Sequence, residues 1–218
     1  MSESNHGVTP DPAPPVPPRW KGIQSLDLVH QLNERCIELL CDVAAADSRH
    51  TALPIITENR EIWVRLEPEA RHRAARMPFV IVDAKFSDDA WWRRVAESLA
   101  NGAGAEAPSN GLPRESSEQL MNEMTMFAWQ TARWDQTVAQ LSLGMTPSVA
   151  KVIAALTPKQ VREISARESQ VIEVRWANDP PFWRDLLLAA MAGSDERLAE
   201  LRLHAKLLLC GELSQLHR

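Results

Sequence analysis

Two segments of this 218-residue chain repeat the same order of residues about ninety positions apart. The matched residues are similar in type and keep their order, with slips of single residues only. In chain order the pairs are Asn33 and Asn122, Leu53 and Leu143, Ile62 and Val152, Leu66 and Leu156, Pro68 and Pro158, Ile81 and Val171, Phe86 and Trp176, Asp89 and Asp179, and Trp92 and Trp183. A unit of this length is too long for a solenoid repeat, so the pattern predicts a tandem duplication of one small domain. The alternative is a chance likeness between two helical segments.

Two segments rich in proline, glycine and small residues divide the chain. Residues 1–19 contain the run PDPAPPVPP, and they are predicted to form a disordered tail because they have little apolar surface to offset the entropy of ordering. Such a run could also serve as a PxxP ligand for a partner. Residues 101–116, NGAGAEAPSNGLPRES, are typical of a linker. The predicted bodies are therefore 20–100, which is the shorter and more degenerate copy, and 117–214.

Helix-start signals are clearest in the second body. The run 116–119 fits a capping box and predicts one long helix to about residue 141. Thr146 and Thr157 each stand before a proline, which predicts two short helices joined by an abrupt turn. Asp179 likewise caps the helix that follows the alternating, β-branched run 171–176, which predicts a short strand.

The first body follows the same course with weaker signals. It is predicted to contain helices over about 26–46, 58–66, 69–76 and 89–99 and a strand over 79–86. The last helix of the second body, from Ser194 to Cys210 with Gly211 placed to stop it, has no counterpart there. The predicted fold class is mostly α, with one short strand in each copy.

Composition and motifs exclude several classes of protein. The formal net charge is −5, which argues against a surface that binds nucleic acid everywhere but leaves room for a local basic patch. Three cysteines without a C-x-x-C pair and six scattered histidines do not form a zinc motif. We find neither a nucleophile elbow nor a glycine-rich phosphate loop, and neither a secretory signal nor a bilayer-spanning stretch. We therefore expect a cytoplasmic, non-membrane protein that is not an enzyme and that holds no metal or cofactor.

Two sets of basic residues are candidates for contact with DNA. They are Arg71, Arg73 and Arg76 in the first body and Lys159, Arg162 and Arg167 in the second. Such side chains could neutralise phosphates, and each helix start could add backbone N–H donors. The alternative is a solvated helix face that neighbouring glutamates balance.

Tryptophans are the candidates for partner or interface contact, because the chain has eight of them and no tyrosine. The predicted set is Trp20, Trp91, Trp92, Trp176 and Trp183. Their helical and strand periodicity favours core or interface anchors over a platform on which bases stack. Trp91 and Trp92 are adjacent, so they cannot both face one core from a helix, and one of them is expected to meet a partner, as is Trp20 beside the tail.

Residues of the second body also resemble a known family. The segments that carry the resemblance are Leu143–Met145, Ala154–Thr157 with Val161 and Ile164, Val171–Trp176, Asn178–Asp179, and Asp195–Arg197 continuing to Leu207–Leu209. They are similar to FlhD, the smaller subunit of the bacterial FlhD/FlhC flagellar master activator. The resemblance covers roughly residues 120–213, and the first body joins it only through the duplication.

The resemblance implies a helical transcriptional regulator that acts with a partner. FlhD proteins form intertwined homodimers and join a zinc-containing FlhC subunit on promoter DNA, and related pairs activate transfer genes of mobile elements. This chain is about twice as long, it has a proline-rich tail, and it carries Glu173 where the family pattern can hold a dimer-linking cysteine.

A duplicated copy of a dimer-forming protein can build the same self-complementary interface within one chain. We therefore expect two FlhD-like repeats packed as an intramolecular pseudo-dimer, with the strands near Ile81 and Ile172 close to the two-fold axis. The expected function is that of a transcriptional activator subunit that supplies dimer architecture and auxiliary DNA contacts, with further self-association open. A helical adaptor or chaperone that never contacts DNA is the alternative.

Overall fold

The computed structural model describes residues 20–46, 53–101 and 112–215, and this part of the chain is mostly helical, as predicted. The predicted tail and residues 102–111 of the predicted linker lie outside the described residues. The helices and strands of the first half are α1 (Trp20–Ala45), α2 (Pro54–Thr57), α3 (Arg60–Val64), α4 (Pro68–Ala75), β1 (Val82–Asp83) and α5 (Asp89–Asn101). Those of the second half are α6 (Arg114–Trp134), α7 (Gln136–Leu143), α8 (Pro147–Ala155), α9 (Pro158–Arg167), a 3-10 turn (Ser169–Val171), β2 (Glu173–Val174), α10 (Pro180–Ala192) and α11 (Asp195–Gln215).

Three of the predicted helix caps are present. The Thr146 hydroxyl oxygen accepts a hydrogen bond from the third backbone N–H of α8, at 3.1 Å. Thr157 and Gln160 form a complete capping box at the start of α9. Asp179 accepts the N–H of Phe182 at 3.1 Å and so caps α10. Each cap satisfies a donor that the first helical turn leaves unpaired, so these starts are fixed locally.

Two other helix predictions are wrong. The long helix of the second half begins at Arg114, after Pro113 and without a side-chain cap, so the run 116–119 lies inside α6 and is not a capping box. That helix also stops at Trp134, because the Asp135 carboxylate accepts the N–H groups of Thr137 and Val138 and starts α7.

Gly211 does not stop α11, which continues to Gln215. Its backbone keeps helical geometry, and there is open space where a Cβ would point. The glycines that do end helices are Gly144 after α7 and Gly193 after α10, both with φ of +67°. A left-handed backbone of this kind favours glycine.

The two predicted strands are shorter than expected and pair with each other. β1 and β2 are antiparallel, with Val82 opposite Val174 and Asp83 opposite Glu173. A shift of 91 residues matches Val82 of β1 to Glu173 of β2 and Asp83 to Val174. When each residue is replaced by its match, the pair Val82–Val174 becomes the pair Asp83–Glu173, and the reverse is also true. Any two antiparallel strands of two residues allow this exchange, and here it places the matching positions 91 residues apart.

The same local geometry follows both strands. Lys85 and Trp176 each have a φ of +54°. The indole Nε1–H of Trp92 donates to the carbonyl oxygen of Ala84, and that of Trp183 donates to the carbonyl oxygen of Arg175, both at 3.1 Å. The helices that follow, α5 and α10, each contain 13 residues. Matching positions are separated by a constant 91 residues in all these features.

The sequence match at a shift of ninety is therefore displaced by one residue in this region. Trp176 corresponds to Lys85 and not to Phe86. Asp179 corresponds to Asp88 and not to Asp89, since Asp88 accepts the N–H of Trp91 at 2.8 Å as Asp179 accepts that of Phe182.

Each helix that follows a strand packs on the opposite half of the chain. α5 contacts α8 and α9, whereas α10 contacts α2, α3 and α4. At the first of these contacts, the Thr146 backbone N–H donates to the Phe86 carbonyl oxygen at 3.1 Å, and the Thr146 hydroxyl donates to the Asp89 carboxylate. The buried apolar residues of both halves form one continuous core, so the two predicted bodies are not separate hydrophobic units.

Asn33 fixes the approach of the first strand to α1. Its buried amide Nδ2 donates to the carbonyl oxygens of Ala75 and Phe79 at 3.1 and 2.9 Å, and its Oδ1 accepts the N–H of Ile81 at 2.9 Å. Asn122, its match in the sequence, is exposed. The corresponding helix pair α6 and α9 is joined instead by a hydrogen bond between two hydroxyl groups.

Candidate nucleic-acid and partner surfaces

The three predicted DNA-contacting arginines of the first half do not share one role. The Arg71 Nε–H donates to the Leu66 carbonyl oxygen at 2.8 Å, and the Arg73 Nε–H donates to the Ala190 carbonyl oxygen at 2.6 Å. Both side chains are half-buried, and Arg73 joins α4 to the C-terminal turn of α10. Arg76 is exposed at the end of α4. The structure therefore assigns packing roles to Arg71 and Arg73 and leaves Arg76 on the surface.

The basic residues of α9 lie together on its exposed side. Lys159, Arg162 and Arg167 are exposed, while Val161 and Ile164 face the core. One acid shares that side: Glu163, whose carboxylate is 3.9 Å from the Lys159 ammonium, in a largely solvated pair that contributes little to stability. Three cations against one carboxylate leave this face net positive.

The start of α9 is a poorer phosphate site than the sequence suggests. Pro158 has no N–H, and the N–H of Gln160 is already bound to the Thr157 hydroxyl oxygen. In the first half, the first turn of α4 carries Pro68 and the acidic Glu69. An acid in the first turn opposes anion binding, so any phosphate contact at these helices depends on side chains.

Glu168, directly after α9, is buried beside the basic face. Burial raises the pKa of its carboxyl group, while Arg167 and Lys85 lower it. The raised pKa means that the two nearby cations do not fully compensate for the loss of hydration.

The tryptophans predicted to meet a partner are mostly interior. Trp92 and Trp183 are at most 1% exposed and Trp91 is 9% exposed, so none of the three offers a free surface. Trp92 stacks on Phe86 with ring centroids 5.9 Å apart, and Trp91 contacts Trp92 edge to face at 5.1 Å. The sequence predicts that the adjacent pair cannot both face one core, but both are buried, because α5 is covered on two sides by its own strand segment and by the opposite half.

Trp176 is half-buried, and its indole Nε1–H donates to the Glu212 carboxylate at 2.9 Å. Its ring makes T-shaped contacts with the rings of Phe79 and Phe182. Trp176 thus joins β2 to α11 and to α10. The side chain of Trp20 lies outside the described residues.

Arg175 forms a buried polar junction that the sequence does not reveal. Its guanidinium donates to the carbonyl oxygens of Val80 and Leu143, at 3.1 and 2.7 Å. It also donates to the carboxylates of Asp83 and Glu212, at 3.0 and 3.1 Å. One side chain therefore connects β1, the end of α7 and the last turns of α11. The alternating pattern predicts only that position 175 lies in a strand, and it carries no signal for these distant partners.

Helix α11 has apolar side chains on two faces. Leu198, Leu201 and Ala205 are buried against the rest of the chain, whereas Leu203 and Leu207 are 60% and 65% exposed. Leu203 and Leu207 are one helical turn apart, so they form a short apolar stripe on the surface. Exposed apolar surface of this kind is a candidate for contact with another protein. The sequence shows it only once the buried face of α11 is known.

Among the described residues, no three or more His, Cys, Asp or Glu side chains are placed to hold a metal ion. No single helix in that part of the chain is long and apolar enough to cross a membrane, although the pair α7 and α8, bent by 116°, passes the same test of length and composition. Comparisons of the chain with protein-family models, with curated proteins and with solved structures found no match.

Proposed function

We propose that this chain is a duplicated FlhD-like protein, folded as an intramolecular pseudo-dimer, and that it acts in the cytoplasm as one subunit of a transcription-activating complex. The single observation that carries the proposal is the crossed packing, in which α5 lies on the second half and α10 on the first. An intertwined homodimer would exchange its helices in the same way. A duplicated gene product can keep that exchange while joining the two copies in one chain.

The strand ladder and the two tryptophan hydrogen bonds support the duplication. Chance likeness between helical segments would account for similar apolar periodicity. It would not account for two tryptophans whose indole N–H groups each donate to the carbonyl oxygen of the residue eight positions earlier. In both cases the residue that directly follows this carbonyl has a φ of +54°. Positive φ is uncommon outside glycine, so its recurrence at matched positions favours common descent of the two halves.

The exposed face of α9 is the best candidate for auxiliary contact with DNA. Within the described part of the chain, the side chains of Lys159, Arg162 and Arg167 make no hydrogen bond to the main chain, unlike those of Arg71 and Arg73. A face of only three cations on an acidic chain fits a subunit that leaves most of the phosphate contact to an FlhC-like, zinc-containing partner. No cofactor or catalytic role is part of the proposal.

A mobility-shift titration tests the function. The full chain, alone and co-expressed with an FlhC-like protein, is titrated against promoter DNA over a range of salt concentrations. The triple variant Lys159→Gln, Arg162→Gln, Arg167→Gln is expected to reduce the slope of log K against log salt by about one for each phosphate that is no longer neutralised. Arg94→Gln, which removes an exposed arginine of α5, is the matched control and should leave the slope unchanged. An unchanged slope for the triple variant removes α9 from the DNA contact.

A helical adaptor that binds only protein is the second candidate, and the exposed stripe of Leu203 and Leu207 favours it. In that case no DNA shift occurs with or without an FlhC-like protein. Capture of a partner by the chain then depends on the stripe, so Leu203→Ser with Leu207→Ser should abolish it while Leu141→Ser, at another exposed leucine, should not. A DNA shift that requires the FlhC-like protein would favour the activator over the adaptor.

A further inference from the structure

Three helices meet at the C-terminal end of α4. Asn33 of α1 donates to the carbonyl oxygen of Ala75, the last residue of α4, at 3.1 Å. From the other side, the Nη2 of Arg202 in α11 donates to the carbonyl oxygen of Arg73 at 3.3 Å. These two hydrogen bonds fix α1 and α11 against the same turn of α4.

Each of the three helices brings one basic side chain to this junction. His30 lies one helical turn before Asn33 on α1, Arg76 directly follows Ala75, and Arg202 is itself one of the anchors. Arg76 is exposed, while His30 and Arg202 are half-buried. The set is therefore open to solvent on one side and enclosed by protein on the other.

The charges of these groups act on one another. Burial and then Arg76 lower the pKa of His30, and Arg202 lowers it further. Burial and then Arg76 also lower the pKa of the Arg202 guanidinium. Asp27 on α1 and Asp195 on α11 oppose these effects. The sum is a positive potential that the nearby carboxylates do not neutralise.

One neighbouring acid is paired with another basic group, and two others act on the cluster only through their charge. Glu34 lies 3.3 Å from the imidazole Nδ1 of His72, which is a further basic group facing His30. Within the part of the chain that the structure describes, neither Arg76 nor His30 has a hydrogen bond or ion pair with a carboxylate. The end of a helix attracts cations, which accounts for Arg76 at the C-cap of α4 but not for cations that converge from α1 and α11.

We propose that His30, Arg76 and Arg202 form a binding site for a phosphate dianion. Guanidinium groups donate to phosphate oxygens in pairs, and a protonated imidazole adds a third charged donor. A dianion balances this group of cations better than a carboxylate with a single charge. Free phosphate and a phosphate monoester both supply such a dianion. Each phosphodiester of DNA carries a single negative charge, so DNA is expected to be the weaker ligand for this site.

Proton binding and anion binding reinforce each other at this site. A bound dianion adds negative charge beside His30 and so raises its pKa. By linkage, the site binds a dianion more tightly as the pH falls through the pKa of His30. The charged groups that set the pKa of His30 without a bound anion are Arg76, Asp27, Arg202 and His72. Asp195 acts on Arg202.

The site is separate from the exposed face of α9 and does not depend on the proposed function. The helical regulator and the helical adaptor would both contain it. Its failure leaves the proposal for α9 intact, and failure of DNA binding at α9 leaves the dianion site intact.

The test follows the His30 ring proton by NMR from about pH 8 to about pH 5 in the full chain. Sulfate, which stays a dianion over this range, is compared with chloride at the same ionic strength, and inorganic phosphate is titrated separately near neutral pH. We expect sulfate to raise the pKa of His30 and expect phosphate to shift its signal saturably. Arg76→Gln and Arg202→Gln should each weaken binding roughly tenfold, as for loss of a charged hydrogen bond, whereas Arg94→Gln, the exposed control, should not.

A short DNA duplex forms the second arm. If the duplex shifts the His30 signal as strongly as the free dianions do and the two variants abolish that shift, the site does not select a dianion, and the proposal is overturned in favour of the DNA backbone. If only the free anions do so, the ligand is a small phosphate or a phosphate monoester, as proposed. The proposal is overturned if sulfate and phosphate leave the pKa of His30 unchanged. It is also overturned if both variants still bind the anions as tightly as wild type. If one of the two variants unfolds, the other variant provides the test.

Discussion

Replacement of Arg175 by methionine should destabilise the fold strongly, because one buried guanidinium satisfies four acceptors. Its side chain is 7% exposed, and methionine keeps much of its length and apolar volume. The substitution therefore removes the hydrogen bonds while creating little empty space.

The expected loss can be worked from the partners that remain. The carbonyl oxygens of Val80 and Leu143 would lose a donor in a buried setting, at about 1–3 kcal/mol each. The Asp83 carboxylate would keep the N–H groups of Lys85 and Phe86, so it adds little. Glu212 is 46% exposed and regains water. The sum is a loss of about 3–5 kcal/mol, the range in which removal of one partner from a buried ion pair falls.

Equilibrium unfolding in urea, followed by tryptophan fluorescence, measures the loss as a lower midpoint at an unchanged slope. Arg175→Lys should fall between wild type and Arg175→Met, because one ammonium cannot reach acceptors on three segments. Arg94→Met, at an exposed arginine, should change the free energy of unfolding by less than about 0.5 kcal/mol. A loss below about 1 kcal/mol for Arg175→Met would refute the assignment of Arg175 as the junction between β1, α7 and α11.

Four further predictions follow from single side chains. Asn33→Ala should lower the free energy of unfolding by about 3 kcal/mol, since it leaves buried main-chain groups unpaired, and urea unfolding measures this. Trp92→Phe and Trp183→Phe should lower it by similar amounts, because each removes one matched hydrogen bond; a large difference between the two would contradict equivalent sites. Burial raises the pKa of Glu168, so its carboxylate destabilises the fold above that pKa and stability rises as the pH falls through it. Glu168→Gln should therefore be at least as stable as wild type at neutral pH, with a smaller advantage in acid, as shown by thermal unfolding across pH. Burial raises the pKa of the Cys36 thiol to about 12, so iodoacetamide should modify it only after denaturation, as detected by mass spectrometry.

The helix boundaries that could be predicted from the sequence are those set by neighbouring residues. Thr146, Thr157 and Asp179 cap the helices that they precede, because a cap depends only on the next three backbone groups. The break at Asp135 is also local, but the continuous apolar periodicity on both sides conceals it. The predicted DNA-contact residues show what the local sequence does not determine. Sequence identifies Arg71 and Arg73 as basic, whereas only packing reveals that their Nε–H groups are bound to main-chain carbonyl oxygens.

Under the proposed duplication, two of the differences between matched positions lie beside α11, which has no counterpart in the first half. At the position matched to Ala84 the second half has Arg175, and this arginine reaches Glu212 of α11. Trp176, matched to Lys85, contacts the same carboxylate. A two-fold arrangement would not need these polar anchors, because α5 and α10 already cover each other's halves. The anchors hold an additional helix on one side only, and that helix also supplies Arg202 and the exposed stripe of Leu203 and Leu207. An assembly built on this chain is therefore expected to be asymmetric, with its partner contact on the side that carries α11.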